Sequence, residues 1–208
     1  MPQAITDPTS APTKQPGRGR PGYDRMDVIR AAVREFNTRG YEATSMGTLA
    51  KRLGVSKSAI YHHIASKEEI LVEATNWALT SLTEVVEEAD QANGSARERL
   101  ELVVRGAVRV LCEGPERVTL LLRLRGNTEV ELDLMERRRT LTRRLINHVK
   151  QAQDEGAVRT DLDAGLVGRL AFGMINSIVE WYRPDGPQTP ETLADVTAKL
   201  VFEGLESK

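Results

Sequence analysis

Residues 45–64 read SMGTLAKRLGVSKSAIYHHI, two short apolar patterns on either side of a Gly-Val turn. Thr44 or Ser45 can cap a helix holding Leu49, Ala50 and Leu53, and Ser56 can cap another holding Ile60 and Ile64. Ala50 is small where two helices must cross closely. Gly54 supplies the left-handed residue that a tight turn needs, and Ile60 packs back on the first helix of the pair. These spacings are those of a helix-turn-helix. Such a unit exposes the start of its second helix, where free amides and the positive dipole end favour phosphate while outward side chains face base edges. Here that helix presents Lys57, Ser58, Tyr61 and His62.

On the amino-terminal side, Ile29, Val33 and Phe36 recur at helical spacing from Asp24 and stop at Gly40. On the carboxyl-terminal side, Ser66 and Glu69 read as a capping box that opens a longer helix through Trp77 and Leu82. Every later segment keeps the helical period: roughly 96–112, 116–125, 129–155, 163–183 and 191–206, separated by the turn signals EGPE, RGN, DEGAVRTD and RPDGPQTP. No alternating β-branched run interrupts them. The expected class is all-α, about nine helices, with a three-helix head and a larger helical body.

Charge divides in the same place. The net charge of −1 hides 11 Lys and Arg against 5 Asp and Glu in residues 1–67 (+6), and 18 against 25 in the remainder (−7). The head is built to meet a polyanion and the body is not. Ahead of it, residues 1–22 hold five of the nine prolines and few apolar side chains, the composition of a flexible basic tail. The domains expected are therefore the tail at 1–22, a DNA-binding head at 23–67, and a helical body at 68–208. Within the tail, GRGRPG at 17–22 matches a dinucleotide fingerprint letter for letter, but no strand precedes it and Pro21 sits inside it. Arg18 and Arg20 fit either an arm entering the minor groove, in the manner of AT-hooks, or a solvated linker.

Other chemistries find little support. Cys112, the single cysteine, reads as a small core side chain. His62 and His63 are adjacent on a helix, about 100 degrees apart, so they cannot share one metal ion. No nucleophile elbow, phosphate loop or zinc-protease motif is present, so neither an enzyme nor a bound cofactor is expected. The longest apolar runs, such as VTLLL before Arg123, are too short to span a bilayer, and no signal-peptide pattern opens the chain. A cytoplasmic protein is expected.

The run GYEATSMGTLAKRLGVSKSAIYHHIASKEEIL resembles the amino-terminal domain of the TetR family of bacterial transcription repressors, a likeness that covers about 25–80. The resemblance implies an all-helical homodimer joined through its last two helices, with an inducer bound in the body. By motif position it implies phosphate contacts from Thr44 and Ser45, groove approach by Thr48, a reading surface of Ser56, Lys57, Ser58, Tyr61 and His62, and a backbone grip from Lys67. Ile64 departs from the family's usual phenylalanine; an aliphatic side chain can fill that core position with local repacking.

For the effector, the body offers few aromatics, which argues against flat drug-like cations. Aliphatic residues fill LVGRLAFGMINSIVEWY, where Gly168 and Gly173 leave room for a chain or ring, and Asn176 is placed either to face the effector or to bond across a dimer seam. Arg123 with Arg125, and the group in ERRRTLTRRL, read either as a solvated face or as a cationic mouth for phosphates. The stretch INSIVEWYRPDGPQTPETLA, 175–194, is similar to TetR-family regulators that sense acyl-CoA esters, although Glu180 stands where many of them are basic. That likeness implies an acyl pocket walled by Trp181 and Tyr182, with Arg123 near its mouth; Phe172, one of the body's few aromatics, is a further candidate for contact with the effector. A regulator of the multidrug-sensing kind, and more remotely a helical adaptor that does not bind DNA, are the alternative functions.

Overall fold

A computed structural model describes residues 24–205. Arg18, Arg20 and the rest of the expected tail lie outside the described residues. Among the described residues there are nine α-helices and no strand: α1 (Arg25–Arg39), α2 (Met46–Leu53), α3 (Lys57–Tyr61), α4 (Lys67–Gln91), α5 (Ala96–Glu113), α6 (Pro115–Leu122), α7 (Glu129–Asp154), α8 (Ala164–Ser177) and α9 (Pro190–Gly204). A short 3-10 turn, Ile178–Glu180, follows α8, so the single helix expected over 163–183 ends early.

Local chemistry accounts for most boundaries. The side chains of Asp24, Ser45, Ser56, Ser66, Ser95, Thr128, Asp163 and Thr189 each accept a hydrogen bond from an amide in the first turn of the helix they precede. Only α6 begins without one, and there Pro115 occupies the first helical position, where a missing N–H costs nothing. Gly54 closes α2 at φ 66, the left-handed conformation that glycine adopts without a Cβ clash. α3 is shorter than the pattern over Ile60 and Ile64 suggests. The chain turns through His62 and His63, yet Ile64 stays buried because its amide still donates to the Ile60 carbonyl at 3.0 Å.

α1, α2 and α3 close over Ile29, Phe36, Leu49 and Ile60 to form the head. α4, 25 residues and so about 37 Å long, starts in the head and runs into the body as the shared strut. In the body, α5 is the central helix: α4, α7 and α9 pack around it, and Leu100, Val103, Val104, Val108 and Leu111 fill the space between them. Gly106 lets α5 approach α4 so closely that a Cβ there would collide with Val85. No helix among the described residues is long and apolar enough to cross a membrane.

Candidate DNA-reading surface and effector cavity

Ile60 is fully buried and anchors α3 to the head, which leaves Ser56, Lys57, Ser58, Ala59, Tyr61 and His62 turned to solvent. The Ser56 hydroxyl accepts from the Ala59 amide at 3.1 Å and lies 2.9 Å from the Ser58 hydroxyl. The Lys57 ammonium stands 5.7 Å from the centroid of the Tyr61 ring, and that tyrosine is 46% exposed. Ser45 and Thr48 sit at the start of α2, Ser45 accepting from the Thr48 amide at 3.1 Å. These residues give an exposed, hydroxyl-rich and cationic surface around one helix start. A duplex can be met there by phosphate contacts at the rim and base-edge contacts from the outward face.

Two residues of the expected set turn inward. Thr44 is 1% exposed and its hydroxyl donates to the Gly40 carbonyl at 2.9 Å. Lys67 donates to the Tyr41 carbonyl at 3.0 Å, with its ammonium 4.1 Å from the Tyr41 ring centroid. Both tie the turn after α1 to its neighbours, so in this arrangement neither offers its polar group to the surface. The imidazoles of His62 and His63 meet edge to face at 6.1 Å between centroids, and no group of three metal-ligating side chains occurs among the described residues.

Sequence patterns gave no sign of the clamp that orients the head. Arg25 donates to the His63 carbonyl at 2.5 Å, to Glu69 at 2.7 Å and also to Glu73, joining α1, the end of α3 and α4. The Glu69 carboxylate reaches back to the Ala65 amide at 2.7 Å, one residue beyond the Ser66 amide that a capping box would engage. The Arg25 guanidinium holds the Glu69 carboxyl below its ordinary range, so the clamp is intact at neutral pH and is lost only as acid protonates that carboxylate. Arg25→Ala is expected to change the melting temperature little, since the side chain is surface-lying, and, if α3 meets DNA, to weaken binding several-fold by freeing the end of α3 from α1 and α4. Fluorescence anisotropy on labelled DNA, beside a thermal melt, measures both. A second internal cluster supports the head: the carboxylate of Glu35, 5% exposed, pairs with Arg39 at 3.0 Å and Arg52 at 2.8 Å, tying α1 to α2.

In the body, a cavity of about 370 Å³ lies among α4, α6, α7 and α8. Its walls are Leu82, Val118, Leu121, Leu122, Leu141 and Phe172, and its polar groups come from Arg138, Thr142, Arg169 and Asn176. Phe172 and Asn176 therefore line the same space. Gly173 lines the same space and has nothing within 4 Å of where a Cβ would stand, whereas Gly168 is a helix crossing, with Ile146 only 2.7 Å away. The other expected residues lie elsewhere. Arg123 and Tyr182 line a separate open groove of about 800 Å³ between α1, α6 and the turn after α8, and Trp181 is 52% exposed and lines neither space. α6 stands between the two, its Val118 and Leu122 facing the cavity and its Thr119 and Arg123 the groove.

α6 also grips the head. The Asn37 amide donates to the Glu116 carbonyl at 2.8 Å, Arg34 pairs with Glu116 at 3.2 Å, and Arg123 donates to the Asn37 carbonyl at 2.5 Å. Whatever displaces α6 from within the cavity must act on α1. Cys112 is buried in α5, and that burial pushes its thiol up.

Known proteins share this arrangement. Residues 28–74 match the family model described as bacterial regulatory proteins, tetR family, and residues 93–205 match the tetracyclin repressor-like C-terminal domain. A TetR regulator from Streptomyces coelicolor A3 is 47% identical, with 86% of this chain and 91% of that one covered and a TM-score of 0.80. The HTH-type transcriptional repressor KstR2 of Mycobacterium tuberculosis is 26% identical over 190 residues, 90% of this chain and 95% of its own. The structure of AibR in complex with isovaleryl coenzyme A and operator DNA is 26% identical, covering 86% of this chain and 97% of that one, with a TM-score of 0.71. With both halves of the chain matched and the head and body arranged alike, the protein belongs to the TetR family of bacterial transcriptional regulators.

Proposed function

We propose that the protein is a repressor that holds an operator as a dimer and releases it when an acyl-coenzyme A thioester enters the body. The exposed face of α3 carries the first half of this reading: a buried Ile60 beneath a solvent-facing Lys57, Ser58, Tyr61 and His62, on a head of net positive charge. Ser56 begins that face, Ser45 flanks it as a phosphate contact and Thr48 approaches the groove, while Thr44 and Lys67 bond inward to the turn after α1. Two such heads must reach half-sites about 34–36 Å apart, or a multiple, on one side of the duplex.

The dimer supplies that spacing. α8 exposes Leu166 and Leu170, 50% and 65% accessible, and α9 exposes Val196 and Leu200, 50% and 59% accessible. Each pair is spaced by four residues and so lies on one helix face. Large apolar side chains this open in one chain are what a four-helix interface covers. An effector that binds best when the heads are wrongly spaced lowers DNA affinity by its preference for that state. One relative favours a thioester, having been solved with isovaleryl coenzyme A and operator DNA.

Release is tested by anisotropy on operator-bound protein. Thioesters of short-chain, medium-chain, aromatic and sterol-derived acids are the panel, with free acids and coenzyme A as controls. At least one thioester should release the DNA and raise the melting temperature of the free protein, by about 2.7 kcal/mol of added stability at a concentration a hundredfold above Kd. Release by free acids alone, or by nothing in the panel, contradicts the thioester reading.

A further inference from the structure

The arginines of α7 do not behave alike. Arg137 donates to the Asn76 side chain at 2.6 Å, Arg139 and Arg143 pair with Glu136 at 3.3 and 2.7 Å, and Arg144 pairs with Asp90 at 2.5 Å. These four have partners of their own, Arg137, Arg139 and Arg143 in solvent and Arg144 half-buried. Arg138 turns the other way. It is half-buried, lines the 370 Å³ cavity beside Leu82, Val118 and Phe172, and donates to the Leu121 carbonyl at 3.0 Å. Among the described residues no carboxylate lies within ion-pair distance of it. Burial and the neighbouring Arg139 both lower its pKa, and no acidic group offsets them.

A guanidinium withdrawn from water without a counter-ion is costly, and one carbonyl offsets that only in part, although it sits in the last turn of α6, where the helix dipole favours a cation. A guanidinium has five N–H donors in a planar fork that fits an oxyanion in bidentate fashion. The surrounding leucines and Phe172 accept an apolar chain or ring. The missing negative charge is therefore best supplied by what enters the cavity.

We infer that Arg138 is the anion receptor of the effector cavity: the effector joins an oxyanion to an apolar group, and the oxyanion meets Arg138. This rests on the cavity being the effector site. The oxyanion can be a phosphate of a thioester's coenzyme A part or a carboxylate of the acid itself, and the geometry at Arg138 accepts either. Arg169, exposed and also lining the cavity, adds a second cation at its rim. Pairing at Arg138 also has a route to the head. Its guanidinium holds the Leu121 carbonyl of α6, and α6 holds α1 through Glu116 and Arg123. An anion that draws Arg138 away from Leu121 loosens the end of the helix on which the head rests.

The test is calorimetric titration of octanoyl-CoA, octanoate and neutral octanamide into the full-length wild type, Arg138→Gln and Arg138→Lys. The wild type should bind at least one anionic probe at least tenfold more tightly than octanamide. Gln should remove that preference and Lys should keep part of it, a charge selectivity that a purely structural tether between α7 and α6 would not show. Binding of octanoate but not octanoyl-CoA, abolished in Arg138→Gln, upholds Arg138 as receptor of a carboxylate. Equal affinity of wild type and Arg138→Gln for the anionic probe overturns the assignment of Arg138 and leaves the thioester reading standing wherever octanoyl-CoA still binds. Binding of no probe by the wild type overturns the assignment of Arg138, and the thioester reading falls with it only when the wider thioester panel also fails to release the operator.

Discussion

Leu170→Glu combined with Leu200→Glu is expected to convert the dimer into folded monomers and to abolish operator binding at physiological salt. Both side chains are more than half exposed in the single chain, so the substitutions should leave its own core and melting behaviour nearly unchanged. In the dimer each would put a carboxylate into an apolar seam. An uncompensated buried charge costs several kcal/mol, and two symmetric copies of each multiply that cost. Operator affinity falls as a consequence, because one head alone grips a single half-site and gains nothing from its tethered partner. Sedimentation velocity reads the assembly state, and anisotropy reads the DNA. A dimer that persists in the double variant would place the interface elsewhere.

The second large effect belongs to α3. Tyr61→Ala and Lys57→Ala should each weaken specific operator binding by about 1–3 kcal/mol, roughly 5- to 150-fold. Both side chains are solvent-exposed and neither holds the head together, so the dimer and its melting temperature should be retained. The two should differ in kind. If Lys57 meets phosphate, its removal weakens binding to all sequences alike and reduces the slope of log affinity against log salt by about 1. If Tyr61 meets a base edge, its removal relaxes sequence preference while the salt slope stays. Ile60→Ala is the contrasting control: it empties a fully buried site and should cost about 2–5 kcal/mol of stability. Unchanged operator affinity in both surface variants would remove α3 from the reading role.

The features that could be read from the chain alone are those that depend on neighbours in sequence. Ser45 and Ser56 cap helices because a short hydroxyl before an apolar period has an unbonded amide to meet. Gly54 and Ile60 fall where the turn geometry requires them. What stayed hidden depends on residues far apart. Nothing local tells that Thr44 bonds back to Gly40, that Lys67 leans on Tyr41 across 26 positions, or that Arg25 spans to Glu69 and Glu73. Gly168 and Gly173 look alike in sequence, yet one meets Ile146 and the other faces open space, because they lie on different sides of α8. The same holds for the five α7 arginines. Charge composition treats them as one group, and only the packing of α6 against α7 singles out Arg138.

Trp181 shows the limit most clearly. Its position in the Trp-Tyr-Arg-Pro turn suggested a pocket wall, but the 3-10 turn at Ile178–Glu180 changes the helical phase and leaves the indole exposed in the single chain. Tyr182, one residue on, is instead turned toward Cys112 and the open groove.

The central claim is that the face of α3 between Ser56 and His62 lies in the groove of a defined DNA site. Genomic fragments selected by the purified dimer and then footprinted give the direct answer. A short protected palindrome, with half-sites one turn or a whole number of turns apart and its protection weakened by Tyr61→Ala, is the predicted result. Selection that enriches no common sequence at any ionic strength, or a footprint unaltered by changes on α3, would contradict the claim.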